Sequence, residues 1–234
     1  SETMTGTLFP NLPIDEAEVL RRLDGLDVAP RLVGFWSEVS LLVYDYVEGS
    51  MWNGDMVGVA ELLLRKESAD PTGFRTVPLT SEDILTEGDL LFARCDNEAV
   101  EFRPKPIEIP KIEKLSLIHT DVGVNLVGAG TGLRLIDWQC PAIGDICEDI
   151  YSFLSPAFQI LGGRPPLTDE QISIFWNALD RPDLAHRYDQ LRASFAWRFS
   201  GYCAWQAQVL EDPNICSKYR RALTVELAYM KDTP

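Results

Sequence analysis

Residues 115–151 constrain the fold of this chain more than any other stretch. They read LSLIHTDVGVNLVGAGTGLRLIDWQCPAIGDICEDIY. Two short apolar, β-prone runs, 115–118 and 133–136, each end in a polar residue. The first leads into His119 and Asp121, the second into Asp137, and Asn125 lies between them. Asp145 and Asp149 follow on a segment whose pattern turns helical. Gly128, Gly130 and Gly132 predict a hairpin turn rather than a phosphate cradle, because they join strands and open no helix. This order predicts strands that deliver His119, Asp121, Asn125 and Asp137 to one edge.

Such an edge has a chemistry. An aspartate there can orient a hydroxyl and accept its proton, while an Asn oxygen and a second Asp can hold Mg²⁺ against nucleotide phosphates. Phosphoryl transfer asks little of a protein beyond positioning and charge neutralisation. A buried strand pair whose polar ends merely face water is the plainer alternative, and an isolated H-x-D would support nothing more. The ordered set on matching strands is the more specific signal.

His119-Thr120-Asp121, Asn125, Ile136-Asp137-Trp138 and Gly144-Asp145 resemble the aminoglycoside phosphotransferase and choline kinase family. The resemblance runs from about residue 15 to the C-terminus, with only the central stretch at the level of a motif. It implies a protein-kinase-like α+β fold with a reduced small N-terminal lobe over 1–47, ending in the hinge, and a large helical C-terminal lobe over 48–234. It further implies Asp121 as catalytic base, His119 as support of the catalytic loop, and Asn125 and Asp137 as ligands of Mg²⁺. Glu16 is the nearest match to the helix glutamate of the nucleotide site. Val43, Asp45 and Tyr46 fall in the hinge whose backbone would meet the adenine of ATP. Asp145 is expected to anchor a loop. Two departures stand out. Only Val122, Gly123 and Val124 separate Asp121 from Asn125, one residue fewer than the kinase pattern. Thr7 stands where a strand lysine is expected, with no glycine-rich loop before it. Both departures are expected if the chain as given omits residues of the molecule. A non-catalytic, kinase-like binding protein is the rival reading.

Net charge is −15, from 36 acidic against 21 basic residues. That field disfavours nucleic acid and anionic membranes as partners. It is compatible with an amine-bearing small-molecule alcohol as acceptor. No apolar run is long enough for a transmembrane helix, and the N-terminus lacks a secretory pattern. Five scattered cysteines without a C-x-x-C pair fit reduced thiols and a cytoplasmic protein.

Elsewhere the patterns are structural. A helix is expected from Pro13, with Asp15 and Glu18 forming a capping box and Val19, Leu20, Leu23 and Leu26 facing inward. Residues 50–114 read as helices broken by prolines, with no chemistry of their own, and the family resemblance implies that they help shape the acceptor pocket. Helices are expected from Thr168, then through Tyr188, Leu191, Phe195, Phe199, Tyr202 and Val209, and finally over 219–230. Their aromatic stripe reads as core, and the sharper alternative makes Trp197, Tyr202 and Trp205 a wall for an alkylammonium group. His186 is expected at the surface.

Overall fold

The computed structural model describes residues 8–95, 101–130 and 132–231. Helix α1 (Pro13–Arg22) opens on a proline, whose fixed φ suits the first turn. Asp15 and Glu16 lie in that first turn and Arg21 and Arg22 in the last, each complementing the helix dipole. The expected capping box does not form. The helix starts at Pro13, so Asp15 is already inside it, and Glu18 instead bonds Arg21 and Arg22 at 3.3 and 2.9 Å. Ala17, Val19, Leu20 and Leu23 are buried as the apolar spacing requires, while Leu26 is only partly covered.

Strands β1 (Leu32–Trp36) and β2 (Leu41–Tyr44) form an antiparallel hairpin with Ser40 in the left-handed region at its turn. Much of this hairpin faces outward, including Val33, Trp36, Leu41 and Tyr44. β3 (Gly49–Met51) pairs with β5 (Leu126–Ala129), which pairs in turn with β6 (Gly132–Leu135). The β5–β6 pair is the hairpin that the glycines predict; Thr131 at its tip lies outside the described residues. β4 (Ser116–Ile118) pairs not with that hairpin but with β7 (Ala142–Gly144), a strand too short to show in the sequence pattern.

The remaining mass is helical. α2 (Met56–Lys66) is capped by Asp55 and α3 (Ser81–Phe92) by Thr80. Asp145 caps α4 (Ile146–Leu154), and Ser155 caps α5 (Pro156–Leu161). α6 (Asp169–Leu179) begins with a capping box of Thr168 and Gln171. α7 (Pro182–Val209) runs through the middle, packed by α3, α4 and α8 (Pro213–Lys231), so that residues 194–201 are all buried. The α3–α7 approach is close because Gly88 has no side chain: a Cβ there would lie 2.6 Å from Trp197 Cδ1 and 2.9 Å from Arg198 Cα. Glu226 of α8 is fully buried yet satisfied, accepting from the Tyr151 hydroxyl at 2.6 Å, the Ser155 hydroxyl at 2.7 Å and the Ala157 N–H at 2.9 Å. The same buried cluster holds side chains of α1, α2, α4, β6 and α7. Two further ties bind the α1 region to β6: the Leu135 N–H donates to the Val28 carbonyl at 2.8 Å, and Arg134 pairs with Asp27 at 2.6 Å. These ties bring α1 beside residue 137. No helix among the described residues is long and apolar enough to cross a membrane.

Candidate active site

β4 ends at Ile118, and the chain then turns sharply. His119 is 1% exposed. Its Nε2 lies 2.9 Å from the Ile136 carbonyl oxygen, and its Nδ1 lies 3.3 Å from the Asp121 backbone nitrogen. A carbonyl only accepts and an amide N–H only donates, so the ring is the neutral tautomer with its proton on Nε2. Burial also pushes its pKa down. Trp138 packs edge-on against it, with centroids 4.5 Å apart. His119 therefore fastens the backbone of Asp121 to the strand end that leads to Asp137.

Thr120 has φ 70°, a left-handed conformation that costs a β-branched residue energy. Asp149 of α4 holds this turn. Its carboxylate accepts the His119 N–H at 2.9 and 3.0 Å and the Thr120 N–H at 2.8 Å. Behind it Lys66, the last residue of α2, is fully buried, 3.0 Å from Asp149 Oδ2, and donates to the Leu117 carbonyl.

Val122–Val124 make a single 3₁₀ turn that absorbs the missing loop residue. Gly123 passes so close to α4 and α5 that a Cβ would sit 2.3 Å from the Ser152 carbonyl oxygen and 2.9 Å from Phe158 Cβ. Arg164 donates to the Gly123 carbonyl. Asn125 Nδ2 donates to the Asp121 carbonyl at 3.1 Å, and the Asn125 carbonyl accepts the Ile136 N–H at 2.9 Å. The short loop thus still carries Asn125 against Asp121 and beside the strand that ends before Asp137.

The Asp121 carboxyl is mostly enclosed, and its Oδ1 has no hydrogen-bond partner. Burial pushes its pKa well above the usual carboxylate range, the charge of Asp137 adds to this, and a hydrogen bond from Asn125 opposes it. Asp137 is exposed, at φ 63°, a conformation that a short polar side chain tolerates. Glu16 faces it from α1. Burial, then the charge of Asp137, pushes Glu16 up to about 7. Tyr44 is raised by burial and then by both carboxylates. Glu16, Tyr44, Asp121, Asn125 and Asp137 therefore share one locality.

The raised value of Glu16 has a testable sign. Its folded-state pKa exceeds the ordinary 4.5. The stability it lends is fully present below 4.5 and is lost as pH rises through about 7. Melting temperatures of the wild type and Glu16→Gln, measured from pH 5 to 8, should diverge, the wild type losing ground as pH rises. Parallel profiles would show that Glu16 is not confined beside Asp137.

The donor set fits a magnesium–nucleotide complex. Asp137 hydrogen-bonds to no described residue, and the unbonded Asp121 oxygen lies in the same locality. Hard cations take such oxygens, and Mg²⁺ is commonly held by one or two carboxylates together with waters and substrate phosphates. Accordingly, no group of three His, Cys, Asp or Glu forms a ready-made cage among the described residues.

The residues expected at the hinge are less tightly placed. Val43 is exposed on β2 and Tyr46 is 86% exposed. Asp45 is committed to Arg31, through a 2.9 Å ion pair and through its N–H to the Arg31 carbonyl. Thr7 lies outside the described residues. Asp145 is an anchor, capping α4 and pairing with Arg187. His186 is exposed. The aromatic stripe is largely core: Trp197 is fully buried with its indole N–H on Asp89 at 2.8 Å, and Trp205 lies 5.3 Å from the Arg94 guanidinium. Within residues 50–114, Lys66 reaches the Asp149 carboxylate that holds the turn before Asp121, a contact the sequence reading did not include. The signal was available, since Lys66 continues the buried face of Met56, Val59 and Leu63 at helical spacing.

No family model matches the chain, and no curated protein matches it in sequence. Solved structures do. A protein from Ralstonia eutropha assigned as an aminoglycoside phosphotransferase superposes with a TM-score of 0.70 at 14% identity, covering 100% of this chain and 92% of its own. A choline kinase from Streptococcus pneumoniae gives 0.63 at 15% identity over 98% of this chain and 84% of that one. The AMP complex of that kinase gives 0.59 at 15% identity, over 93% and 79%. The chain has the α+β, kinase-like fold that choline kinases and aminoglycoside phosphotransferases share.

Proposed function

We propose that the chain transfers a phosphoryl group from ATP, with Mg²⁺, to a hydroxyl of a small molecule. One observation carries this reading: Asp121, Asn125 and Asp137 arrive together from two strand ends that His119 fastens to each other. Asp121 would accept the hydroxyl proton on its unbonded oxygen. Burial suits it to this, because a carboxylate with a raised pKa is a stronger base once ionised. Asn125 and Asp137 would hold Mg²⁺, which supplies neutralisation of the charge that develops on the transferred group. The backbone of the β2 end would meet the adenine, and the described part of residues 1–47 would form the nucleotide side of the cleft. The net charge of −15 suits an amine-bearing acceptor.

One observation favours the rival, a kinase-like protein that binds without transfer: no Lys or Arg pairs with Glu16 among the described residues. A transfer assay separates the two. With ATP, magnesium and a panel of small alcohols, amines included, ADP release should accompany a product heavier by one phosphoryl group. Magnesium–ATP binding without ADP release across the panel would support the rival. Absence of magnesium–ATP binding would sink the phosphotransferase reading.

A further inference from the structure

We propose that Lys66 is a positioning residue for Asp121, acting through Asp149. The inference rests on the reading of Asp121 as the base, and its physical content is independent of that reading. Lys66 closes α2, on an element that shares no motif with the catalytic stretch, and its ammonium is fully buried. A buried lysine is expensive unless its charge is matched and its donors are used. Both conditions hold: Asp149 Oδ2 is 3.0 Å away, and the Leu117 carbonyl takes a second donor.

Asp149, likewise fully buried, carries the load in the other direction. It accepts the N–H groups of His119 and Thr120, the two residues before Asp121. Those bonds hold Thr120 in its left-handed conformation, which an L-residue with a branched Cβ leaves when it is free to do so. Asp149 accepts both amides on Oδ1 and faces the ammonium with Oδ2, so one carboxylate spans the turn and the lysine. Lys66 is its ion-pair partner there. Without the ammonium, Asp149 Oδ2 loses its partner, the carboxylate is free to rotate away from the two amides, and the Thr120 turn relaxes. Asp121 follows that turn directly, so its carboxyl moves. The Leu117 contact also fixes the last strand residues before the turn to the same ammonium. α2, α4 and β4 are thereby locked together at the strained turn of Thr120.

The test uses Lys66→Met, which keeps the length and apolar stem of the side chain, and Lys66→Arg, which keeps the charge. Amide hydrogen exchange is read at His119 and Thr120 against the buried middle of α7. In Lys66→Met, exchange at those two amides should speed up by an order of magnitude or more while α7 stays protected. In the transfer assay its kcat should fall by about 10²-fold, the scale of a misplacement of roughly 1 Å, with the KM for magnesium–ATP little changed. Lys66→Arg should recover part of both. If Lys66→Met does not fold, Lys66→Met/Asp149→Asn, which leaves no unpaired charge, takes its place with the same expectations. Unchanged exchange at His119 and Thr120 in a folded variant overturns the proposal, as does a loss that Lys66→Arg fails to relieve in any measure. A wild type without transfer activity would count against the phosphotransferase reading alone, because the exchange measurement still decides the role of Lys66.

Discussion

Asp121→Asn is expected to reduce turnover by about 10²–10⁴-fold, the contribution of a positioned general base, while magnesium–nucleotide affinity is kept. The substitution preserves shape and removes only the ability to take a proton. It should not cost stability. The folded protein holds the Asp121 pKa well above its ordinary value, so above that ordinary value the carboxyl takes stability from the fold rather than adding to it. Removing its charge also relieves its neighbour Asp137. Asp121→Asn should therefore melt at or above the wild-type temperature near pH 7 and turn over far more slowly. A variant with normal turnover would remove Asp121 from the chemistry. A variant that loses nucleotide binding or melts early would make Asp121 a structural residue instead.

That His119, Asp121, Asn125 and Asp137 lie near one another was legible from their order between two short runs. His119 and Asp137 follow short apolar, β-prone runs, and the structure places most of each run in β4 and β6. The hairpin at 128–132 followed from glycines between strands. The long helices followed from spacing, and α6 from its capping residues. Pairing was harder. β4 joins β7 across more than 20 residues, and a strand the length of Ala142–Gly144 leaves no periodicity to read. The shortened loop looked like a defect in sequence. It closes as a 3₁₀ turn because Gly123 permits an approach to Ser152 and Phe158 that no side chain would allow.

Lys66 escaped for a different reason. Sequence reading treats a lysine after an apolar run as the helix end reaching water, and dipole arguments favour a cation there. Only the phase of the helix places it on the buried face, and only the fold supplies Asp149 to meet it. The failed capping box at Asp15 shows the same limit from the other side. The residue types fit, but Pro13 had already begun the helix and moved the cap to Leu12. Trp197 is core, as the aromatic stripe first reads, and α3 covers it through the space that Gly88 leaves open.

Asp137→Ala should abolish magnesium-dependent nucleotide binding while leaving metal-free affinity for the nucleotide base little altered. The motive is placement: the carboxylate is exposed, hydrogen-bonds to no described residue, and stands at the end of a rigidly held strand. Alanine carries a second effect that must be separated. Residue 137 is left-handed at φ 63°, a region that costs most L-residues roughly 1–2 kcal/mol and that Asp and Asn visit more readily. Asp137→Asn is the control, since it keeps the backbone preference and removes the charge. Both variants should lose the magnesium dependence of binding measured by calorimetry with and without the metal, and only Asp137→Ala should also lose stability from the turn. In both, the Glu16 carboxyl loses the repulsion that helps hold it near 7, so the pH profile of melting should move toward that of Glu16→Gln. Magnesium–nucleotide affinity that stays at the wild-type level in folded Asp137→Asn would take the metal away from this residue. An unmoved pH profile would separate Glu16 from Asp137.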